Sequence, residues 1–258
     1  MVKKPVIIFT IADENNLPYA KMLENSLRKF HKDIPFVVIG GDELKGYLKD
    51  DPKFFYRATP IIAEKYIKDY DLVLKLDADS IVTGDLSYIF NTQDYDVGTV
   101  INWNRVDPQK YGVVQGWGIL PPEYFNCGLV AMRSEAFIKH WKNLCFSPQF
   151  DRMQYREQDL LNILCYYGNY NVRCFDLGDG PAKMSAWWGL LAKGEWLRAE
   201  MRGDEIVIPK GFGDTPFPNK DMTLKVIHFA GGAGATKMNY RTLFIEPVIK
   251  RLDFLVSK

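Results

Sequence analysis

An apolar run, Leu72 to Leu76, ends in two carboxylates, Asp77 and Asp79, separated only by Ala78. The run reads as a buried strand. Where a strand ends, the pleat relaxes into a loop, and two aspartates with one small residue between them can turn toward the same point. Hard divalent cations favour that arrangement, with few carboxylate oxygens and coordination positions left for a phosphate ligand. The carboxyl ends of strands are also where ligands bind in open α/β sheets. Solvated turn residues are the plainer alternative, because Asp is common in turns. The pair Ile81-Val82 weighs against it, since a loop flanked by core on both sides is held in place. A calcium loop would need Gly at its sixth position and Glu at its twelfth. Counted from Asp77, those positions are Val82 and Tyr88.

The flanking segments alternate between strand and helix patterns. Val6–Thr10 reads as a first strand and Ile11–Asn16 as a polar loop. Pro18 opens a helix through Met22, Leu23, Leu27 and Phe30, and Pro35–Ile39 is a second strand closed by Gly40-Gly41. This strand-helix-strand unit begins a Rossmann-like half. Thr59 as N-cap with Pro60 at the first helical position starts a helix running to Tyr70. Further strands are expected at Asp96–Ile101, Tyr124–Met132, Val172–Phe175 and Leu224–His228, with Ser134 capping a helix between them. Arg156–Asp159 opens a helical stripe, and Tyr240–Val256 reads as a C-terminal amphipathic helix with Pro247 starting or kinking it. The chain is expected to be one α/β domain, with 1–101 a nucleotide-binding half and 102–258 a sugar and acceptor half.

Composition narrows the function classes. In 258 residues the formal net charge is +1, which gives no support for nucleic-acid binding. The four cysteines form no Cys-x-x-Cys pair and the three histidines stand far from them, so a structural zinc site is not expected. Buried thiols in a reducing cytosol are the simplest reading, and a cytoplasmic location follows from it. The apolar run after Met1 stops at Asp13 and Glu14, so a first strand is read there rather than a signal peptide. No segment approaches the roughly 20 apolar residues of a membrane span. The C-terminal helix carries Lys250 and Arg251, enough for weak peripheral membrane contact to be conceivable but too few to predict it.

Several other positions carry chemistry-bearing residues. Asp13 and Asn16 follow the first strand, with helix capping as the alternative reading. Arg57 stands where it could reach a phosphate or the aspartate pair, with an ion pair as the alternative. Asn126 and Gly128 interrupt a strand, and Gly in a strand marks close approach by another group. The acidic residues of Glu157-Gln158-Asp159 suit the first turn of a helix. His228 ends a strand before Gly231 and Lys237; Gly-rich backbone and a lysine can hold phosphate, and a neutral imidazole is a competent manganese ligand, with a hydrogen-bonded core histidine as the alternative reading. Trp103, Tyr111, Trp117 and the Trp187-Trp188 pair could stack on sugars or fill core.

Taken together, Ile7–Asp13, Leu76–Leu86, Phe125–Leu129, Glu157–Asn162 and His228–Gly231 resemble, in order, the motifs of family 8 glycosyltransferases of GT-A fold, the glycogenin and bacterial galactosyltransferase group. Glu157 replaces that family's first Asp, Lys237 arrives late, and no Pro-Trp follows it. The resemblance implies a mixed Rossmann-like sheet flanked by helices. It implies that Asp77, Asp79 and His228 hold Mn²⁺ or Mg²⁺ on the diphosphate of a UDP-sugar. Thr10, Ile11, Ala12, Asp13, Asn16 and Ala78 would meet the nucleotide; Arg57, Gly231 and Lys237 the phosphates; and Gly128, Asn126, Gln158 and Asp159 the donor sugar. The acceptor would be a carbohydrate or glycoconjugate, and transfer would proceed with retention. Should the enzyme invert instead, Asp159 is the base candidate. A metal-dependent phosphatase or nucleotidyltransferase using Asp77 and Asp79, or a non-catalytic carbohydrate-binding protein, remain the rival classes.

Overall fold

The computed structural model describes residues 4–101, 117–119, 124–175, 199–210, 221–229, 240–242 and 244–258, and the backbone of 186–187. From the N-terminus the elements are β1 (Ile7–Ala12), α1 (Leu17–Phe30), β2 (Phe36–Gly40), α2 (Gly41–Asp50), α3 (Phe54–Tyr66), β3 (Val73–Leu76), β4 (Ser80–Val82), α4 (Ser87–Asn91) and β5 (Val97–Ile101). There follow β6 (Phe125–Met132), α5 (Glu135–Cys145), α6 (Gln149–Arg152), α7 (Arg156–Tyr167), β7 (Val172–Cys174), β8 (Ala186–Trp187), β9 (Glu200–Arg202), β10 (Glu205–Ile208), β11 (Met222–Thr223), β12 (Val226–His228) and α8 (Glu246–Val256).

Six strands form the central sheet in the order β2-β1-β3-β6-β5-β7. The β2-β1-β3 part is parallel; β6 runs antiparallel to both β3 and β5, and β7 is parallel to β5. Every residue of β1, β3, β5 and β6 is buried, which is why these segments are nearly continuous apolar runs. Alternate side chains enter opposite cores. Phe9 packs with Ala58 and Ile62 of α3 and Phe137 and Trp141 of α5, while Ile8 packs with Leu23 and Leu27 of α1. Each of the Phe, Ile and Leu side chains among them contributes on the order of 1.5–3 kcal/mol of burial free energy. A third core joins α8 to β10 and β12 through Val248, Leu252, Ile206 and Ile227.

The α3 start differs from the sequence expectation. Thr59 is not an N-cap: α3 begins at Phe54, and Thr59 and Pro60 lie buried inside it. Packing selects the earlier start, because Phe54 stacks on Tyr47 with ring centroids 4.3 Å apart and its N–H closes a turn on the Asp51 carbonyl. A proline inside a helix removes one backbone hydrogen bond, and here core contacts of α3 offset the loss. Ser134 does cap α5, its hydroxyl accepting from the Phe137 N–H at 3.2 Å. Tyr240–Thr242 is a separate 3-10 turn, and α8 starts at Glu246 with Pro247 in its first turn.

Candidate functional site

Two strand pairings bring the carboxylates and the imidazole together. β12 lies antiparallel to β4 with His228 opposite Ser80, so the imidazole arrives beside Asp79. The Phe229 N–H donates to the Asp79 carbonyl at 2.8 Å and fixes that register. On the other side, the Asp77 N–H donates to the Gly128 carbonyl at 2.8 Å, continuing the β3–β6 ladder. His228 Nε2 lies 3.1 Å from Asp77 Oδ2 and 3.2 Å from Asp79 Oδ1. One ligand atom from each of the three residues falls within 4.8 Å of the others. Two carboxylates and an imidazole at that spacing suit Mn²⁺ or Mg²⁺.

The His228 position depends on Gly128. A Cβ placed on Gly128 would stand 2.2 Å from His228 Cε1 and 2.7 Å from Asn126 Oδ1. The glycine that interrupts β6 therefore makes room for the His228 imidazole. Burial by itself would depress the imidazolium, but the Asp79 and Asp77 carboxylates outweigh it and raise His228 to about 9. In the unfolded chain the value is about 6.5. The resulting stability is fully present below about pH 6.5 and is lost as pH rises through about 9. We expect the metal-free protein in chelator to lose on the order of 2–3 kcal/mol across that window in denaturant titrations. His228→Gln should flatten the slope, and an equal slope in that variant would refute the assignment.

Asn126, Gln158 and Asp159 form one connected network beside Asp77, Asp79 and His228. Gln158 Oε1 accepts from Asn126 Nδ2 at 3.1 Å and from the Cys127 N–H at 3.0 Å. Asn126 Oδ1 accepts from the Gly128 N–H at 2.6 Å. Gln158 Nε2 donates to the Tyr124 hydroxyl at 3.2 Å, and that hydroxyl donates to Asp159 Oδ1 at 2.6 Å. Asp159 Oδ2 accepts from the Tyr155 N–H at 2.8 Å. Asp159 is only 2% exposed, and burial raises its carboxyl above the usual range. With both oxygens engaged inside the fold, it orients Tyr124 and Gln158. Asn162 ties α7 to β6, accepting from the Phe125 N–H at 2.6 Å and donating to the Phe125 carbonyl at 2.8 Å.

Thr10, Ile11 and Ala12 lie buried at the carboxyl end of β1. Ala12, Ala20 and Ala78 pack as one small cluster, which brings the loop after β1 against the two aspartates. Asp13 closes that loop, its Oδ1 accepting from the Asn16 N–H at 2.9 Å and from Asn16 Nδ2 at 2.6 Å. The Thr10 hydroxyl is enclosed and has no hydrogen-bond partner among the described residues. Arg57 forms the ion pair offered as its alternative, with Asp51 Oδ2 at 3.0 Å, and lies over the Phe150 ring at 4.4 Å. Gly231, Lys237, Trp103, Tyr111 and Trp188 lie outside the described residues, as does the side chain of Trp187. Trp117 is partly exposed and packs on Tyr167, with ring centroids 5.2 Å apart.

One residue of the site escaped the sequence reading, and a second was noted only as a departure from the family's motif. Lys75, inside β3, is buried; its Nζ ion-pairs with Asp77 Oδ1 and donates to the Cys127 carbonyl at 2.7 Å. Glu157 read as a helix-start carboxylate and as the replacement for the family's first Asp. Its Oε2 is enclosed without a hydrogen-bond partner among the described residues, and burial pushes the carboxyl up to about 8. The substitution of Glu for Asp in the Gln-Asp motif was the available signal for Glu157. A charged residue in an otherwise apolar strand was the signal for Lys75.

No protein-family model matches the chain, and no curated protein matches it in sequence. Solved structures do match in fold. A galactosyltransferase, LgtC, in complex with donor and acceptor sugar analogs superposes with a TM-score of 0.58 at 19% identity, covering 96% of this chain and 94% of that one. A glycosyltransferase involved in glycosylation of the major capsid of PBCV-1 gives 0.52 at 12% identity over 98% of each chain. The bifunctional glycosyltransferase WbbM gives 0.54 at 15% identity, covering 90% of this chain and 47% of that one. The fold is thus the GT-A glycosyltransferase fold. No helix among the described residues is long and apolar enough to cross a membrane.

Proposed function

We propose that this chain is a metal-dependent glycosyltransferase that moves a hexose from a UDP-sugar to a carbohydrate or glycoconjugate acceptor with retention. The observation that carries this reading is the convergence of Asp77, Asp79 and His228 with the Asn126–Gln158 pair, within a fold matched by a galactosyltransferase that binds donor and acceptor analogs. Asp77, Asp79 and His228 hold the cation. Bound there, Mn²⁺ or Mg²⁺ supplies Lewis-acid stabilisation of the charge that builds on the departing diphosphate. Thr10 through Asp13, with Asn16 and Ala78, form the wall for uracil and ribose. Arg57 and Lys237 add positive charge at the phosphates, Arg57 exchanging its Asp51 partner for that role, and Gly231 offers backbone.

Asn126 and Gln158 position the sugar hydroxyls beside Gly128, and Asp159 holds Gln158 in place through Tyr124. The bond from the anomeric carbon to the phosphate oxygen breaks as the acceptor oxygen bonds to the same face. The acceptor proton passes to the departing phosphate oxygen. Inversion would need a general base, and the engagement of both Asp159 oxygens inside the fold counts against Asp159 in that role.

Thermal-shift measurements with UDP, GDP and a panel of UDP-sugars, with and without Mn²⁺, test this reading. Stabilisation is expected for UDP compounds only, only with Mn²⁺, and not in Asp79→Ala. The sugar giving the largest shift identifies the donor. Absence of any metal-linked UDP stabilisation would sink the proposal.

A further inference from the structure

Lys75 is the one buried lysine or arginine among the described residues, and it stands in the middle of the sheet, paired with Phe9 on β1 and Val130 on β6. An ammonium there needs compensation. It finds it in Asp77 Oδ1 and in the Cys127 carbonyl, 2.7 Å away. The other Asp77 oxygen faces His228 Nε2 at 3.1 Å. A cation arriving between Asp77, Asp79 and His228 therefore meets two carboxylates, one of which already shares its charge with a fixed ammonium. It also finds one Asp77 oxygen in use. Both effects weaken binding of a dication, since affinity for hard cations follows the ligand charge count.

We propose that Lys75 is a positioning residue that holds Asp77 in place while keeping the Asp77–Asp79–His228 site weak for a free divalent cation, so that the cation is retained only when a nucleotide diphosphate supplies the remaining ligands. The inference rests on the donor reading above and deepens it. In the absence of a cation, Lys75 and His228 together keep the two carboxylates from repelling each other, so the site stays assembled while empty. When the diphosphate enters, its own negative charge replaces what Lys75 removed. Metal and nucleotide each raise the affinity for the other, and the coupling is reciprocal. The geometry also separates this role from a merely structural one by sign. A lysine that only propped Asp77 would, when removed, loosen the site and weaken metal binding. A lysine that subtracts charge would, when removed, tighten it.

The test is the affinity of nucleotide-free protein for Mn²⁺ alone, followed by the electron paramagnetic resonance signal of the free ion. Wild type is compared with Lys75→Met and Lys75→Gln; the glutamine keeps a donor for the Cys127 carbonyl and is the safer fold. Both neutral variants are expected to bind Mn²⁺ about tenfold tighter than wild type. Addition of UDP should then raise Mn²⁺ affinity less in the variants than in wild type. Unchanged or weaker Mn²⁺ binding in a folded variant overturns the proposal, and so does failure of both variants to fold, which would make Lys75 structural. The donor reading fails separately, if UDP leaves the Mn²⁺ affinity of wild type unchanged.

Discussion

Gly128→Ala is expected to abolish Mn²⁺-dependent UDP stabilisation and to reduce transferase activity by about 100-fold or more. The added methyl would stand 2.2 Å from His228 Cε1 and 2.3 Å from Nδ1. Neither side can yield easily. Gly128 lies where the β5–β6 register shifts, but its carbonyl is held by the Asp77 N–H, and the imidazole is held by its own strand and by two carboxylates. Relief must come from rotation of His228 away from Asp77 and Asp79, which takes one of three ligands out of the site. The same methyl presses on Asn126 Oδ1 at 2.7 Å and so disturbs the pair that reaches Gln158. Overpacking of this kind costs about 1–3 kcal/mol of stability. Gly46→Ala is the control: a Cβ there meets nothing within 4 Å, and the residue lies inside α2. That change should stabilise by roughly 0.5–1 kcal/mol and leave binding untouched. Retention of the Mn²⁺–UDP thermal shift in Gly128→Ala would mean that His228 is not a ligand.

The parts of this site that local pattern could reveal were legible in the sequence. Asp77 and Asp79 follow a strand whose apolar run is long enough to be buried on both faces, and the structure places them at its end. Gly128 was marked by its place inside a strand, and the structure supplies the group that approaches it. Ser134 caps α5 because its hydroxyl can accept from an N–H three residues on, a relation contained in four residues of sequence. The Gln158–Asn126 contact joins residues 32 apart, yet both were singled out because each sits in a recognisable motif.

What was not legible depends on distant packing. Ile81 and Val82 read as core flanking a loop, but they form β4 only because β12 pairs with them, a partner more than 140 residues away. Thr59-Pro60 carries a strong local start signal, overridden by the stacking of Phe54 on Tyr47 from a helix that the sequence reading left undefined. Asp159 read as a donor-sugar contact or a base candidate, and nothing in its neighbourhood names Tyr124, 35 residues upstream, as the hydroxyl that takes one of its oxygens. Lys75 passed as one polar residue in a strand because its two partners, Asp77 and the Cys127 carbonyl, become a binding site for it only once β3 and β6 are side by side.

Asp77→Asn should have two effects that a second substitution separates. The carboxylate is lost as a metal ligand, so Mn²⁺-linked UDP stabilisation should vanish. Independently, the Lys75 ammonium, 7% exposed, loses its counter-ion and stays buried. Removing one partner of a fully buried pair costs roughly 3–5 kcal/mol. The Asp77 side chain is 36% exposed, so water screens part of the interaction. A loss of about 2–3 kcal/mol is the expected outcome in chemical denaturation of the metal-free protein. Lys75→Met alone should cost less, because Asp77 keeps His228 as a partner and can reach solvent. The double variant Lys75→Met/Asp77→Asn should recover most of the stability lost in the single Asp77→Asn change, giving a coupling of at least about 1 kcal/mol. It should recover none of the UDP binding. Additive single costs would show that Lys75 and Asp77 do not interact, whereas UDP binding restored in the double variant would show that Asp77 acts through Lys75 and not as a ligand.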